Sequence, residues 1–528
     1  MSGDSKLDGP DFSAGISLDD LSTNATIAGR VGNEAILLSK FEDGLFAVSR
    51  SCTHYHADLA DGLLSRGTVR CPWHHACFDL RSGRALRAPA LDALDTWLVE
   101  VEGNTAFVRQ KVELQSTEQR HAEDLKKIVI IGGGAAGLAC AHELRQLGYW
   151  GSLTIISADQ DPPVDRPNLS KDYLAGTAPD EWMPLRSDSW YRENEIDLRL
   201  GCEVDGVDPA ARQVHTLAGG EIAYDRLLIA TGSEPSRLTG NGFDHEAVVT
   251  LRSFADARAI AARLAPGTTA AIIGSSFIGL EAAAALRKRG VEVHVIAPEK
   301  LPFERLLGKQ VGLFLQALHE RNGVRFHLGT SVTGFAEGEV ILADEQKLSA
   351  DMVLVGIGVR PRTSLATSAG IEAPTGITVD AFLQTSVPEI YAAGDIAAYP
   401  DPLTGEPTRI EHWVVAERQG QVAAANMLGL SKRYQAVPFF WTQQYDVSLR
   451  YVGRAASWDD VVIDGDVGGR DFIARYCDKG VHLASAAIGR DREMLEEEQR
   501  FERLIAEAQS DTSFGREPEV AAGIKCPA

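Results

Sequence analysis

The sequence predicts a multi-domain chain that combines a small all-β domain with two α/β domains and an α+β domain. Short apolar stretches that alternate with polar residues and are separated by Gly, Asp and Asn fill residues 15–111. A strand–glycine–helix–strand pattern begins at Lys127 and recurs over residues 269–297. The C-terminal region adds short strands and an acidic helix around residues 494–506. Together these patterns predict the fold class.

Length, composition and charge limit the functions that the chain can have. At roughly 100–200 residues per domain, 528 residues predict several domains. Hydrophobic residues make up 44% and charged residues 24%, as in ordinary globular proteins. The chain has 52 Lys and Arg against 74 Asp and Glu, a net charge of −22. Because an acidic surface repels phosphate backbones, nucleic acid is not an expected partner.

The expected location is cytoplasmic. No apolar run approaches the roughly 18 residues of a membrane-spanning helix, so no membrane span is expected. The first residues, MSGDSKLDGPD, are polar and acidic and lack the basic start and apolar stretch of a secretory signal. The seven cysteines are too few for a disulfide scaffold.

Four candidate metal ligands stand in the β-rich region, as Cys52-Thr-His54 and Cys71-Pro-Trp-His74. Two thiolates and two imidazoles in two short loops are the ligand set of a Rieske [2Fe–2S] cluster, in which the cysteines bind one iron and the histidines the other. A Cys₂His₂ zinc site is the alternative, but its cysteines and histidines normally come in separate pairs, and the mixed order here argues against it.

The neighbouring histidines, His56 and His75, break this spacing and are expected at the surface or beside the ligands, and Cys77 is expected to be a buried thiol. The whole segment resembles Rieske-type ferredoxins, in which the position of His75 is usually Gly.

The first α/β pattern contains a dinucleotide-binding motif. Gly132, Gly134 and Gly137 form G-x-G-x-x-G after the apolar run of residues 128–131, and Ala135 and Ala136 begin the predicted helix. Such glycines allow a sharp turn that brings a helix N-terminus to a pyrophosphate. The acidic residue expected to bind a ribose is Asp159, one position late, because Ala158 occupies the usual place.

Three further segments, DRPNLSK (165–171), DRLLIATGSEP (225–235) and IYAAGDIA (390–397), resemble the FAD-binding motifs of flavoprotein reductases with two dinucleotide-binding domains. The resemblance implies that the flavin cofactor contacts the following residues: Arg166, Lys171, Val204, Ala230, Thr231, Gly232, Asp395 and Trp413. It also places His412 and Trp441 near the flavin, although Trp413 and Trp441 could simply belong to the core.

The second α/β pattern is expected to bind the nicotinamide cofactor. Gly274 and Gly279 occupy the outer glycine positions, while Ser276 replaces the middle one. Glu281 resembles the family glutamate that pairs with the flavin-side lysine, which makes Lys171 and Glu281 the candidate catalytic residues. Gly358 lies in GIGVRP, which resembles the loop on the nicotinamide side.

NADH is expected to be preferred to NADPH. Ala297 stands where an acid is expected after the second strand of this pattern, and Glu299 follows two residues later. No arginine cluster follows that could bind a 2′-phosphate, and Glu299 would repel one.

These motifs make the chain resemble apoptosis-inducing-factor-like flavoproteins with an N-terminal Rieske domain, and the ferredoxin reductases of oxygenase systems. The resemblance implies an all-β Rieske domain followed by two α/β dinucleotide-binding (Rossmann-like) domains and an α+β C-terminal domain. The expected segments are a tail (1–14), the Rieske domain (15–111), a linker (112–126), the FAD-binding domain (127–245 and 367–432), the NAD(P)H-binding domain inserted into it (246–366) and a C-terminal interface domain (433–528).

The implied function is transfer of electrons from NADH through FAD and the [2Fe–2S] cluster to an external one-electron acceptor such as a ferredoxin, a cytochrome or an oxygenase. Redox signalling of the apoptosis-inducing-factor type and NADH oxidase or quinone reductase activity are the alternatives. A homodimer is possible by the same resemblance.

Cysteine spacing and the acidic helix lead to two further expectations. The remaining cysteines, at positions 77, 140, 202, 477 and 526, are scattered, and no Cys-x₄-Cys pair lies near Lys171, so dithiol exchange is not expected. Residues 493–502 are expected to form a solvated helix face.

Overall fold

The computed structural model describes residues 7–42, 44–112, 125–512 and 524–526. Most of the predicted linker, residues 112–126, lies outside these ranges. Strands and helices are labelled below in chain order.

The N-terminal region is all-β, as predicted. A six-stranded antiparallel sheet in the order β1-β10-β9-β4-β3-β2 packs beside a four-stranded sheet in the order β5-β6-β7-β8. Apolar residues such as Leu37, Val48 and Phe78 alternate inward and form the core. The strands are β1 (Ile16–Ser17), β2 (Ala25–Val31), β3 (Glu34–Phe41), β4 (Gly44–Ser49), β5 (Leu63–Ser65), β6 (Thr68–Arg70), β7 (Cys77–Asp79), β8 (Ala85–Arg87), β9 (Thr96–Glu102) and β10 (Thr105–Val112).

The first α/β region follows. The central strands of its parallel sheet are mostly apolar, as is usual where both faces of a sheet are covered. The elements are β11 (Lys127–Ile131), α1 (Ala135–Gln146), β12 (Ser152–Ile156), α2 (Arg166–Asn168), α3 (Asp188–Glu193), β13 (Ile196–Arg199), β14 (Val204–Asp208), β15 (Gln213–Thr216), β16 (Glu221–Ala223), β17 (Arg226–Ile229) and β18 (Ser233–Pro235).

The second α/β region repeats this design with its own parallel sheet, in the order β19-β26-β20-β21-β22. Its elements are β19 (Val248–Val249), α4 (Phe254–Ala261), β20 (Thr269–Ile273), α5 (Phe277–Lys288), β21 (Glu292–Ala297), α6 (Glu304–Arg321), β22 (Val324–Leu328), β23 (Val332–Ala336), β24 (Glu339–Leu342), β25 (Lys347–Ser349), β26 (Met352–Val355) and β27 (Val359–Pro361).

The chain then returns to the first sheet, which has the order β13-β12-β11-β17-β29. Because β29 pairs with β17, the second α/β region is an insertion within the first. The returning elements are α7 (Ser364–Ser368), β28 (Ile377–Thr378), β29 (Ile390–Ala392), β30 (Ala397–Pro400), β31 (Pro407–Thr408) and α8 (Trp413–Met427).

The C-terminal region is an antiparallel sheet, in the order β32-β33-β36-β35-β34, with one long helix packed against it. Its elements are β32 (Phe439–Gln444), β33 (Val447–Gly453), β34 (Asp460–Asp466), β35 (Asp471–Asp478), β36 (Val481–Ile488) and α9 (Asp491–Thr512). The predicted architecture of an all-β domain, two α/β domains and an α+β domain is therefore confirmed.

The expectation of a solvated acidic face over residues 493–502 of α9 holds for Glu496, which is exposed, but is wrong for two of its neighbours. Glu497 and Glu498 are only 3% and 1% exposed. Arg475 pairs with Glu497, and Arg418 pairs with Glu498. Burial is possible because guanidinium groups from other elements compensate the carboxylates, which the local charge pattern of the helix does not reveal.

Two of the scattered cysteines, Cys477 and Cys526, form a disulfide with a Cα–Cα distance of 6.1 Å. The two cysteines are 49 residues apart in the sequence, so no local spacing pattern predicts this pairing. Within the residues that the structure describes, no helix is both long enough and apolar enough to cross a membrane.

Helices α1 and α8 pack so closely that Gly420 in α8 has no room for a side chain. A Cβ atom there would stand 2.2 Å from the backbone oxygen of Ala136. We expect Gly420→Ala to lower the free energy of unfolding by about 1–2 kcal/mol, because an overpacking cost of about 3 kcal/mol outweighs the gain in helix propensity of roughly 1 kcal/mol. Thermal unfolding followed by circular dichroism measures the change.

Gly206→Ala is the matched control, because its Cβ would lie 3.5 Å from the side chain of His215, an ordinary contact. An unfolding midpoint for Gly420→Ala equal to that of the control would contradict the packing that the structure shows.

Candidate functional site

The four candidate metal ligands lie at one end of the N-terminal domain, on two neighbouring loops. The loop after β4 carries Cys52 and His54, and the loop after β6 carries Cys71 and His74. The thiols of Cys52 and Cys71 lie within hydrogen-bonding distance of each other. The Nδ1 atoms of His54 and His74 are 3.1 Å apart. The donors thus converge as one pair of thiols and one pair of imidazoles.

This pairing fits a cluster of two iron atoms better than a single ion. In the described ranges of the chain, no group of three or more His, Cys, Asp or Glu side chains converges on one point. A zinc ion would require four ligands around one centre. A Rieske cluster instead takes two thiolates on one iron and two imidazoles on the other. The donor set and its arrangement therefore fit a [2Fe–2S] cluster.

The two ligand loops have the same backbone design. The carbonyl oxygen of Cys52 accepts a hydrogen bond from the N–H of His56, and that of Cys71 accepts one from the N–H of His75. Both of these histidines have positive φ, 59° and 61°. His56 is exposed, whereas His75 is buried beside the reductase domains, so the expectation of a position near the ligands holds for His75.

The first glycine motif forms a tight turn between β11 and α1. A Cβ on Gly132 would stand 2.1 Å from the backbone oxygen of Ala230, and a Cβ on Gly137 would stand 2.0 Å from that of Gly132. Only glycine permits these approaches. The turn leaves the N-terminus of α1, at Ala135, open to a long cavity in which a pyrophosphate could accept its backbone N–H groups.

That long cavity has two connected parts, of about 230 and 630 Å³, which share Gly134, Arg166, Ala230 and Gly232 as walls. Most of the residues predicted to bind cofactor line it. They are Gly132, Gly134, Ala135, Ala136, Asp159, Arg166, Lys171, Val204, Ala230, Thr231, Gly232, Glu281, Asp395 and Trp413. Ala158, which precedes Asp159 at the end of β12, also lines the larger part.

The charges around the cavity suit an anionic cofactor. Burial, together with repulsion from Arg252, lowers the pKa of Arg166 to about 10. Arg252 also pairs with Asp395 at 2.7 Å. Nδ1 of His412 is buried at the cavity wall without a hydrogen-bond partner, and burial lowers the pKa of this histidine to about 4. Arg166 also lies 3.4 Å from Asp159, so both arginines have carboxylate partners at the cavity wall. Two guanidinium groups and a ring nitrogen without a partner at the wall fit a bound dinucleotide such as FAD.

Lys171 and Glu281 meet at the inner wall of the cavity. Nζ of Lys171 donates to Oε2 of Glu281 at 2.9 Å. The same carboxylate accepts hydrogen bonds from the hydroxyls of Ser170, at 2.5 Å, and Thr442, at 2.7 Å. Three donors therefore hold this carboxylate in one orientation. The sequence did not reveal Thr442, because it belongs to β32 of the C-terminal domain.

The second glycine motif has the same close contacts. A Cβ on Gly274 would stand 2.4 Å from the oxygen of Gly356, and one on Gly279 would stand 2.5 Å from that of Gly274. Ser276 replaces the middle glycine for a structural reason, because its hydroxyl caps α5 by accepting from the N–H of Gly279 and donates to the oxygen of Gly356.

The structure brings part of the second motif to the same cavity. Phe277 and Ile278, in the first turn of α5, line it together with Glu281. Gly274, Gly279, Glu299 and Gly358 are not among its lining residues. Glu299 is exposed after β21, and Gly358 adopts a φ of 103° in the loop before β27.

Trp441 connects the two candidate sites. Its ring lines the cavity beside Lys171 and lies 4.2 Å, centroid to centroid, from the ring of His74. It also meets the ring of His54 at 6.3 Å. The resemblance predicts Trp441 near the flavin, but its contact with the two candidate ligand histidines depends on how the domains pack.

A second contact between the sites is made by Tyr55, whose ring stacks on His54 at a centroid distance of 4.0 Å. Its hydroxyl donates to the carboxylate of Asp165, the residue before Arg166. Burial raises the pKa of Asp165. The sequence signal for Asp165 was its place in DRPNLSK, whereas nothing local indicated a role for Tyr55.

Three family models match the chain. Residues 126–420 match the pyridine nucleotide-disulphide oxidoreductase model, residues 15–98 match the Rieske [2Fe-2S] domain model, and residues 439–513 match the reductase C-terminal model. The matching domains imply FAD, a nicotinamide nucleotide and a [2Fe–2S] cluster as cofactors.

The chain is similar to characterised relatives over most of its length. It is 36% identical to apoptosis-inducing factor 3 of Homo sapiens over 476 residues, and this matched region covers 86% of this chain and 78% of that protein. It is 38% identical to the ferredoxin–NAD(+) reductase component of the anthranilate 1,2-dioxygenase system of Burkholderia cepacia, over 69% of this chain and 91% of that protein. Among solved structures, the covalent putidaredoxin reductase–putidaredoxin complex matches with a TM-score of 0.69 and 32% identity, over 72% of this chain and 93% of that one.

These matches agree with the two sites that the structure brings together and support the activity of an NAD(P)H oxidoreductase. The chain belongs to the pyridine nucleotide-disulphide oxidoreductase family, as a flavoprotein reductase with an N-terminal Rieske domain that is related to apoptosis-inducing factor 3 and to the ferredoxin reductases.

Proposed function

We propose that this flavoprotein reductase transfers electrons from NADH to FAD, from FAD to the Rieske [2Fe–2S] cluster, and from the cluster to an external one-electron acceptor. When bound, FAD supplies two-electron chemistry with NADH, and the cluster supplies one-electron chemistry. The contact that carries the proposal is Trp441, whose ring lines the flavin cavity and touches the ligand His74.

In this proposal the residues of the cavity bind and orient the cofactor. The N-terminus of α1 and the arginines Arg166 and Arg252 compensate the pyrophosphate charge. Asp395 is positioned by Arg252 to accept a hydrogen bond from the ribityl chain. Trp413 and Trp441 form apolar walls that exclude water from the flavin ring.

Lys171 and Glu281 are the proposed catalytic pair. Lys171 supplies a fixed positive charge at the flavin, and Glu281 holds its ammonium in place. Because Glu281 is itself held by Ser170 and Thr442, the pair is preorganised rather than mobile.

The proposed nicotinamide cofactor is NADH rather than NADPH. Glu299 follows β21 near the end of the strand where the adenosine ribose binds in such folds, and its carboxylate would repel a 2′-phosphate. Ala297, at the end of that strand, carries no positive charge that could attract a 2′-phosphate.

The proposed acceptor is a ferredoxin, a cytochrome or an oxygenase. Support comes from relatives whose names describe ferredoxin reductase components of oxygenase systems. The proposed segments are the Rieske domain (15–111), the FAD-binding domain (127–245 and 367–432), the NAD(P)H-binding domain (246–366) and the interface domain (433–528).

Anaerobic rapid mixing with NADH tests the proposal. Flavin absorbance is followed continuously, and samples frozen at intervals are examined by EPR for the reduced Rieske signal. The proposal requires the cluster signal to follow flavin bleaching within the turnover time. A bleached flavin with a cluster that stays oxidised would contradict it.

Cys71→Ser should remove electron delivery while leaving the NADH-dependent half of the reaction intact. Loss of one thiolate ligand prevents assembly of the cluster, whereas the cavity that would bind FAD does not contain Cys71. We expect NADH to bleach the flavin at the wild-type rate, with no Rieske EPR signal and no reduction of one-electron acceptors.

Cys77→Ser is the matched control, because Cys77 is buried nearby but is not among the four ligands. It should keep the EPR signal. Loss of flavin reduction by NADH in Cys71→Ser would overturn the assignment of separate roles to the two sites.

Glu281→Gln should slow the reduction of bound flavin by NADH by roughly tenfold to hundredfold, because the ammonium of Lys171 loses its charged partner and its fixed position. Stopped-flow measurement of flavin bleaching under saturating NADH gives the rate. Glu389→Gln is a suitable control, because it removes a carboxylate from the half-exposed pair with Arg226, away from the cavity. Equal rates in the two variants would exclude a catalytic role for Glu281.

A further inference from the structure

His75 adopts a backbone conformation that favours glycine. Its φ is 61°, in the left-handed region where a side chain at Cβ costs conformational energy. His56 holds the equivalent place in the first ligand loop, with a φ of 59°. The difference between them is burial, because His56 is exposed and His75 is 1% exposed. The strain at His75 therefore requires a compensating contact.

The side chain of His75 makes that contact with the C-terminal domain. Its Nδ1 lies 2.8 Å from Oε2 of Glu498 on α9. Its ring stacks on Phe439 of β32 with a centroid distance of 4.0 Å. Trp441, two residues further on the same face of β32, contacts His74. Consecutive histidines of the ligand loop thus pack against alternate residues of one strand.

Arg418 of α8 completes the contact from the FAD-binding side. Its Nη2 donates to the backbone oxygen of His75 at 3.2 Å, and its Nη1 donates to Oε1 of Glu498 at 2.9 Å. Its Nε donates to the backbone oxygen of Ala88, which also belongs to the Rieske domain. Three domains therefore meet at one buried group of side chains.

We propose that His75, Arg418 and Glu498, here called the His75 contact, fix the second ligand loop against β32 so that His74 stays beside Trp441. The inference rests on the proposed function and identifies three positioning residues for it. The Rieske domain is then a docked module during turnover rather than one that swings between the flavin and the acceptor.

Neighbouring ion pairs strengthen this docking. Glu502, one turn further along α9, accepts two hydrogen bonds from Arg70, at 3.0 and 2.7 Å, and pairs with Arg87. Burial by itself disfavours the charged form of Glu498, but Arg418 and the hydrogen bond from His75 hold its pKa below the usual value. A charged carboxylate buried in this way is stable only while its partners remain in place.

His75→Gly tests the proposal, because glycine suits the left-handed conformation of the loop and removes only the side-chain contact. Hydrogen exchange of the holoprotein reports the opening of residues 71–76 and 494–502. Loss of a hydrogen bond to a charged group should lower protection there by about tenfold to hundredfold. The cluster should still form with an unchanged EPR signal, and NADH should reduce the flavin at the wild-type rate, while the subsequent reduction of the cluster should slow.

His56→Gly is the matched control, since it makes the same change at the equivalent place in the exposed loop. It should leave protection of residues 71–76 and 494–502 and both reduction phases unchanged. His75→Asn should restore part of the protection, because asparagine tolerates positive φ and its amide N–H can donate to Glu498.

Equal protection in wild type and His75→Gly, or an equal decrease in both glycine variants, would overturn the proposal. The outcome is independent of the proposed function, because hydrogen exchange measures docking whether or not electrons reach the cluster. Failure of the proposed function would instead leave the wild-type cluster oxidised after NADH reduces the flavin.

Discussion

The alternation of side chains along β32 is the constraint on which the arrangement of both sites depends. Phe439 and Trp441 face the Rieske ligand loop, where they contact His75 and His74. Thr442, on the opposite face, donates to Glu281 beside the flavin cavity. Because successive residues of a strand point to opposite sides, one strand holds both sites at a fixed separation. A register shift of one residue would exchange the two sets of contacts and separate both sites from their partners.

This arrangement makes the C-terminal domain part of both candidate sites rather than a peripheral addition. Its strand supplies Trp441 and Thr442, and its helix α9 supplies Glu498. In a strand buried between two domains, the polar side chains on both faces need hydrogen-bond partners. A buried polar group without a partner lowers the free energy of unfolding by about 1–3 kcal/mol. The hydroxyl of Thr442 meets this requirement by donating to Glu281. The same hydrogen bond orients the carboxylate that holds Lys171.

How much could be predicted from the sequence depends on the range of each interaction. The candidate ligands Cys71 and His74 and the turn at Gly132 could be located from the sequence, because each motif lies within a few consecutive residues. The hydrogen bond between His75 and Glu498 spans 423 positions, and no local pattern indicates it. The burial of Glu497 and Glu498 in α9 could not be predicted for the same reason, because the arginines that compensate these carboxylates come from distant elements. Ser276 is the opposite case, because the sequence shows a departure from the glycine motif without its cause. The structure supplies the cause, since the hydroxyl of Ser276 caps α5 by accepting a hydrogen bond from the N–H of Gly279.

Covalent linkage and noncovalent docking have different effects on the Rieske domain: linkage keeps it close to the reductase, and docking fixes its orientation. Joining the Rieske domain to the reductase raises its effective concentration near the flavin, but a tether does not select an orientation. Orientation requires contacts that are lost when the domain rotates, and hydrogen bonds to a buried carboxylate have this directional character. His75 provides such a contact at the residue next to the ligand His74, so any rotation that moves the ligand also breaks the bond to Glu498. The strained φ of His75 is thus offset by an interaction that links the position of the cluster loop directly to that of the flavin site.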